Sequence, residues 1–155
     1  MKKISIVTSC FNEEDNISIL YKKLKEITEK LSDRYNVEII FIDNASTDFT
    51  QDELRKIAKE DSRVKLILNS RNFGNIKSPY HAICQASGDA IIYLASDLQD
   101  PPELIYDFVE NWEKGCEVVI ARKYDSQKFK FLDVMRKFYY WALDMLKDEG
   151  TKLVY

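Results

Sequence analysis

Val37-Glu38-Ile39-Ile40-Phe41-Ile42-Asp43-Asn44-Ala45-Ser46 is the stretch that decides the fold. Val37 to Ile42 is an almost continuous apolar run. It lacks the polar alternation of a strand wetted on one side and reads as a strand covered on both faces. Asp43 ends it, and Asn44-Ala45-Ser46 has turn chemistry. Just beyond, Thr50-x-x-Glu53 has capping-box form, a hydroxyl and a carboxylate placed to satisfy the free amides of a helix start, and Leu54, Ile57 and Ala58 supply a buried stripe. A buried strand that turns into an amphipathic helix is the repeating unit of an α/β domain.

The same unit recurs on both sides. Upstream, Ile4 to Cys10 reads as a buried strand, and Asn12-Glu13-Glu14-Asp15 leads into a helix with Ile17, Leu20, Leu24, Ile27 and Leu31 on one face. Downstream, Val64 to Leu68 reads as a third strand, Pro79 to Ala86 as a short helix, and Ala90 to Ala95 as a fourth strand entered through Gly88-Asp89. Asp100-Pro101-Pro102-Glu103 is a helix start with Asp100 as its cap, continued by Leu104, Ile105, Phe108, Val109 and Trp112. Gly115 stops that helix, and Glu117 to Ala121 reads as a fifth strand ending at Arg122. The expectation is a three-layer α/β domain with a mainly parallel sheet and right-handed crossovers. Its core spans residues 1–122, and residues 123–155 form a basic and aromatic loop and helix.

Composition narrows the function. The chain has 155 residues, 45% of them hydrophobic and 32% charged, which suits a folded domain with one sizeable core. The net charge of −3 supplies no field for nucleic acid, so an anionic ligand must be held by local donors. Cys10, Cys84 and Cys116 are widely spaced and form neither a disulfide framework nor a zinc pattern. No signal peptide or membrane span is legible, so the expected location is cytoplasmic, with the inner face of the cytoplasmic membrane as an alternative.

In an open α/β sheet, ligands bind outside the carboxyl ends of the strands. The polar clusters here follow the strands one by one: Ser9-Cys10-Phe11-Asn12-Glu13, Asp43-Asn44-Ala45-Ser46, Ser70-Arg71-Asn72, Ser96-Asp97-Leu98-Gln99-Asp100 and Arg122-Lys123. Any one of these has an ordinary reading as a loop or cap, but all five fall on one edge. Carboxylates and arginines on one rim suit a ligand with a sugar or base to hydrogen-bond and phosphates to neutralise, as in a nucleotide sugar.

These residues resemble the family 2 glycosyltransferases, and especially the branch of dolichyl-phosphate mannose synthases and bacterial polyprenyl-phosphate glycosyltransferases. The resemblance rests on Ile4 to Glu14, on Ile42 to Asp48, on Ser70-Arg71-Asn72-Phe73-Gly74, and above all on Ala95-Ser96-Asp97-Leu98-Gln99-Asp100-Pro101-Pro102-Glu103. It implies the nucleotide-diphospho-sugar transferase (GT-A, Rossmann-like) fold and an inverting transfer of a sugar from UDP or GDP to polyprenyl phosphate or a growing saccharide, in cell-envelope glycan synthesis. By the same resemblance Ser9, Phe11 and Glu13 line the base and ribose, Asp43 and Asn44 bind the nucleotide, Arg71 flanks the base and Ser96 lies near the ribose. Asp97 ligates Mg²⁺ or Mn²⁺ with Gln99 as a second ligand, and Asp97 and Arg122 carry the catalytic charge stabilisation.

Ala95 stands where the family motif usually opens with Asp, which admits an alternative, a nucleotide-sugar-binding module without catalysis. His81, alone in its predicted helix, is left out of the site, and Asp48 has a structural reading. Lys123 to Lys147 interleaves basic and aromatic residues and is expected to meet either a membrane surface carrying the lipid-phosphate acceptor or a missing part of the enzyme, with self-association as a consequence. Acceptor determinants are expected largely beyond the last predicted helix.

Overall fold

A computed structural model describes residues 1–122. The element order is β1 (Lys2–Cys10), α1 (Glu14–Leu31), β2 (Tyr35–Asp43), α2 (Thr50–Glu60), β3 (Val64–Leu68), α3 (Gly74–Cys84), β4 (Ala90–Ala95) and α4 (Leu104–Glu113). The strands form one sheet in the order β3-β2-β1-β4, with every pairing parallel. The chain divides into two compact units, Met1–Ile120 and Ala121–Tyr155, and the sheet lies wholly in the first. The segment 123–147, to which membrane contact and self-association are ascribed, lies outside the described residues.

The two inner strands, β1 and β2, are buried on both faces, as the apolar run at Val37 requires. On one face Ile4, Ile6, Ile39, Phe41, Ile92 and Leu94 meet Ile17, Leu20, Leu24 and Ile27 of α1, Leu54 and Ile57 of α2, and Ile105 and Val109 of α4. On the other, Val7, Ile40 and Ile42 meet Ala82 of α3. Leu20, Leu24 and Ile17 are almost wholly removed from water, and truncating such a side chain to Ala typically costs about 2–5 kcal/mol. No helix among the described residues is long and apolar enough to cross a membrane.

Four local expectations are corrected. Residues 117–121 form no strand, and Val118 and Ile120 are exposed. A short apolar run makes a strand only when a neighbouring edge supplies the hydrogen bonds, and β4, the edge strand, pairs here with β1 alone. Helix α3 starts at Gly74 rather than Pro79, so the proline sits inside it, where it denies a donor to the carbonyl of Asn75. Thr50 and Glu53 make no capping box. The Thr50 hydroxyl instead accepts from the Glu13 amide at 2.8 Å, Glu53 turns to Lys56 and Ser18, and Asp48 accepts from the Thr50 amide at 3.0 Å. Finally, α4 begins at Leu104, and its cap position, three residues beyond Asp100, is Glu103, which makes no side-chain cap.

The amino ends of the strands are pinned by Glu38, which is buried. Its carboxylate accepts from Ser5 and from the Ser87 amide at 2.8 Å, and it pairs with Lys3 at 2.9 Å and Lys65 at 2.7 Å. Burial pushes this carboxyl up, but the Lys65, Ser5, Ser87 and Lys3 donors outweigh it and hold it well below the usual range.

Candidate functional site

The strand order reverses at β1: the chain steps outward through β2 and β3, then returns to place β4 on the other side. In open parallel sheets such a switch point leaves a crevice at the carboxyl ends of the two diverging strands. A cavity of about 370 Å³ lies there, lined from β1 and its loop by Ser9, Cys10, Phe11 and Glu13 and from β4 and its loop by Tyr93, Ala95, Ser96 and Asp97. Asn44 and the first half of α3, through Gly74, Asn75, Ser78 and Pro79, complete the wall.

The loops that carry these groups are held in unusual backbone conformations. Asn12 (φ 55°), Ala45 (φ 63°) and Leu98 (φ 57°) are left-handed without being glycine, and they follow β1, β2 and β4 respectively. Such conformations persist only where surrounding contacts over-determine them. Asn12 is fixed by the Ser46 hydroxyl, which accepts from its amide at 2.9 Å, and by its own Oδ1, which accepts from the Thr47 amide at 2.8 Å. Leu98 lies inside the turn in which the Gln99 amide donates to Asp97 Oδ1 at 3.1 Å.

Among the residues expected at the site, Ser9, Phe11, Glu13, Asn44, Ser96 and Asp97 share the cavity wall. Several of them have structural commitments as well. Ser96 is buried and its hydroxyl donates to the Ser9 carbonyl at 2.9 Å, tying β4 to β1. The Glu13 carboxylate accepts from Asn16 at 2.6 Å. Asn44 is saturated on its acceptor side: Oδ1 accepts from Asn69 Nδ2 at 3.2 Å and from the Phe73 amide at 2.9 Å, while Nδ2 donates to Asn72 Oδ1 at 2.9 Å. Asn44 thereby ties the end of β2 to the loop that opens α3.

The remaining expected residues do not line the cavity. Asp43 is fully buried at the end of β2; its Oδ2 accepts from the Ser46 amide at 3.0 Å and from Gln51 at 2.7 Å, while Oδ1 is buried with no hydrogen-bond partner. Arg71 is exposed and lays its guanidinium over the Phe73 ring at 4.6 Å. Gln99 is exposed. Arg122 belongs to the second unit.

The structure adds to the wall Tyr93 and the start of α3, neither of which is legible as a site in the sequence. Tyr93 and Ala95 are two apart on β4 and so face the same side. Tyr93 reads in sequence as one more apolar strand residue. The α3 residues were missed because the helix was expected to start at Pro79. Cys10 lines the cavity as a buried thiol: burial pushes its pKa up, and a Ser96 hydrogen bond opposes this only in part.

No group of three or more His, Cys, Asp or Glu among the described residues forms a metal cage. Mg²⁺, however, is commonly held by one or two carboxylates together with substrate phosphates and water. Asp97 at the cavity wall, with one oxygen occupied by the Gln99 amide, fits that mode.

Comparison with known proteins agrees with this architecture. The family model described as glycosyl transferase family 2 matches residues 5–153. The chain is 41% identical over 123 residues to the prophage bactoprenol glucosyl transferase homolog of Escherichia coli (strain K12), covering 79% of this chain and 40% of that protein. It is 41% identical over 117 residues to the uncharacterized glycosyltransferase YkcC of Bacillus subtilis (strain 168), covering 76% of this chain and 36% of that one. It thus spans about two fifths of the length of these relatives.

Two solved structures share the fold. S. aureus TarS 1-349 in complex with UDP superposes with a TM-score of 0.54 at 23% identity, over 70% of this chain and 32% of that one. The mannosyltransferase PcManGT from Pyrobaculum calidifontis, in complex with GDP-Man and Mn²⁺, gives 0.51 at 22% identity, over 64% of this chain and 33% of that one. The sheet is therefore of the GT-A type, and with a family match running almost the length of the sequence, the chain belongs to glycosyl transferase family 2.

Proposed function

We propose that this chain is the donor-binding part of a glycosyltransferase that moves a sugar from a nucleoside diphosphate to polyprenyl phosphate, with inversion at the anomeric carbon and with help from Mg²⁺ or Mn²⁺. The observation that carries the reading is the cavity at the β1/β4 switch point, because it gathers hydroxyls, amides and the Asp97 carboxylate on one wall. The relatives named as bactoprenol glucosyl transferases support the acceptor class.

Cleaving the sugar–phosphate bond leaves charge on the departing nucleoside diphosphate, and a divalent ion bound there spreads it. Asp97, with Gln99 beside it, would hold that ion against the diphosphate. Ser9, Phe11, Glu13, Asn44 and Ser96 would position the nucleoside. Asp43 would accept from a base N–H through its unpartnered Oδ1, provided the wall around that oxygen yields to the ligand. Arg71 would flank the base, and Arg122, which belongs to the second unit, would stabilise charge during transfer. A polyprenyl phosphate brings its own oxyanion as nucleophile, so the protein need not supply a strong base.

Calorimetric titration of the chain with UDP and with GDP, each in Mn²⁺, in Mg²⁺ and in chelator, tests the site. The expected result is binding of one nucleotide that weakens in chelator, and no binding under any condition would remove the reading. Assay of sugar transfer to polyprenyl phosphate then separates an enzyme from a binding module.

A further inference from the structure

Tyr93 lines the cavity and is hydrogen-bonded to Ser9, one of the residues that would position the nucleoside. Ser9 Oγ and Tyr93 Oη lie 2.8 Å apart, on neighbouring strands, and both residues line the cavity. Either oxygen can donate to the other, so the pair uses one of its two hydroxyl protons internally and keeps one for a ligand. Tyr93 is 42% exposed, so its ring and hydroxyl can both be reached.

The surrounding charges limit what that proton meets. Among the described residues, the cavity lining contains the carboxylates of Glu13 and Asp97 and no lysine or arginine. Ala95, beside Tyr93 on the same face of β4, adds no polar atom. Away from the ion that Asp97 would hold, a bare phosphate oxygen would meet the Glu13 carboxylate, whereas a neutral hydroxyl both donates and accepts, as the pair does. An exposed phenol also offers an apolar ring edge beside its hydroxyl, which suits the mixed surface of a sugar.

We propose that the Ser9–Tyr93 hydroxyl pair recognises a carbohydrate hydroxyl of the donor, with Tyr93 as a specificity-determining residue; this rests on the donor-site reading above. The carbohydrate is either the ribose of the nucleotide or the transferred sugar, and the test separates them. The pair acts as one unit: removing either hydroxyl leaves the other without its partner and misaims the outward proton.

The test is calorimetry on the full chain with UDP, UDP-glucose, GDP and GDP-mannose in Mn²⁺, for the wild type, Tyr93→Phe, Ser9→Ala and the double variant. Tyr93→Phe keeps the ring and removes one oxygen at an exposed position, and a thermal melt matching the wild type verifies its fold. Loss of one net hydrogen bond predicts affinity weakened about three- to tenfold. A loss seen equally with the free nucleotide and its sugar conjugate assigns the contact to the ribose, and one confined to the conjugate assigns it to the transferred sugar. The double variant should bind about as weakly as the weaker single variant, because the two groups share one contact.

Affinities within about twofold of the wild type for Tyr93→Phe, in a wild type that binds, overturn the proposal and leave the donor site standing. Fully additive losses overturn the claim that the hydroxyls act as one unit. A wild type that binds none of the four ligands overturns both this proposal and the reading on which it rests.

Discussion

Replacing Asn44 by Asp exchanges one NH₂ for an oxygen and changes almost no volume, so its effect isolates the hydrogen-bond pattern around the end of β2. In the native chain Asn44 Nδ2 donates to Asn72 Oδ1 at 2.9 Å, and that same oxygen accepts from the Gly74 amide at 2.8 Å. An ionised carboxyl would set two acceptors against each other at a position only 4% exposed. Asn72 could turn its amide to offer a donor, but it would then withdraw the acceptor from Gly74, so one bond is lost in either arrangement. The bonds from Asn69 and the Phe73 amide survive and strengthen toward a charge, which limits the damage.

A buried polar group left without its partner costs about 1–3 kcal/mol, and that is the expected loss for Asn44→Asp at neutral pH. The loss should depend on pH. A carboxyl buried against an acceptor has its pKa raised on folding, so its protonated form, which can donate to Asn72, is favoured in the native state. Its unfavourable effect is therefore absent below the unfolded pKa of about 4 and develops as pH rises through the folded value. Urea denaturation of wild type and variant at several pH values between about 3.5 and 7 reads this directly. A penalty below about 0.5 kcal/mol at pH 7, or one that does not shrink on acidification, would refute the reasoning.

Three further outcomes are expected. Asp97→Ala should lower sugar transfer at least about a hundredfold with an unchanged melting temperature, as expected for loss of charge stabilisation, and full retained activity would defeat its assignment. Gly88→Ala should destabilise by about 1–3 kcal/mol in a thermal or urea melt, because a Cβ at Gly88 would meet Ser5 Oγ at 2.6 Å and the Ser5 amide nitrogen at 2.7 Å; an unchanged melt would show that the turn relaxes freely. The Arg63 guanidinium holds Asp61 down at about 2 from the ordinary 3.8, against the opposing push of burial. A carboxyl depressed on folding contributes stability that is present above the unfolded pKa and lost as pH falls through the folded one. Wild type should therefore lose about 2 kcal/mol more than Asp61→Asn between about pH 5 and pH 2, and equal losses would count against the ion pair.

Much of the architecture was legible because hydrophobic period and turn chemistry are local. The apolar run at Val37 to Ile42 demanded cover on both faces, and the helix stripes at Ile17 to Leu31 and Leu104 to Trp112 supplied it on one of them. The motif at Ala95 to Glu103 pointed to the family directly. Local reading failed where the decision lay with a neighbour. The apolar run Val118 to Ala121 pairs with no strand, and the Thr50 hydroxyl accepts from Glu13 rather than capping its own helix. At the start of α3, Pro79 proved less decisive than the loop at Gly74.

The sequence by itself determined that strands alternate with helices, that polar groups collect at the strands' carboxyl ends, and which family those groups resemble, since each follows from residue type and spacing along the chain. Only the tertiary structure decided the strand order. With that order came the switch point beside β1, the contribution of α3 to the cavity, and the meeting of Ser9 with Tyr93 across 84 residues. Parallel pairing is set by long-range burial and crossover geometry, which leave no mark on the local pattern of either partner.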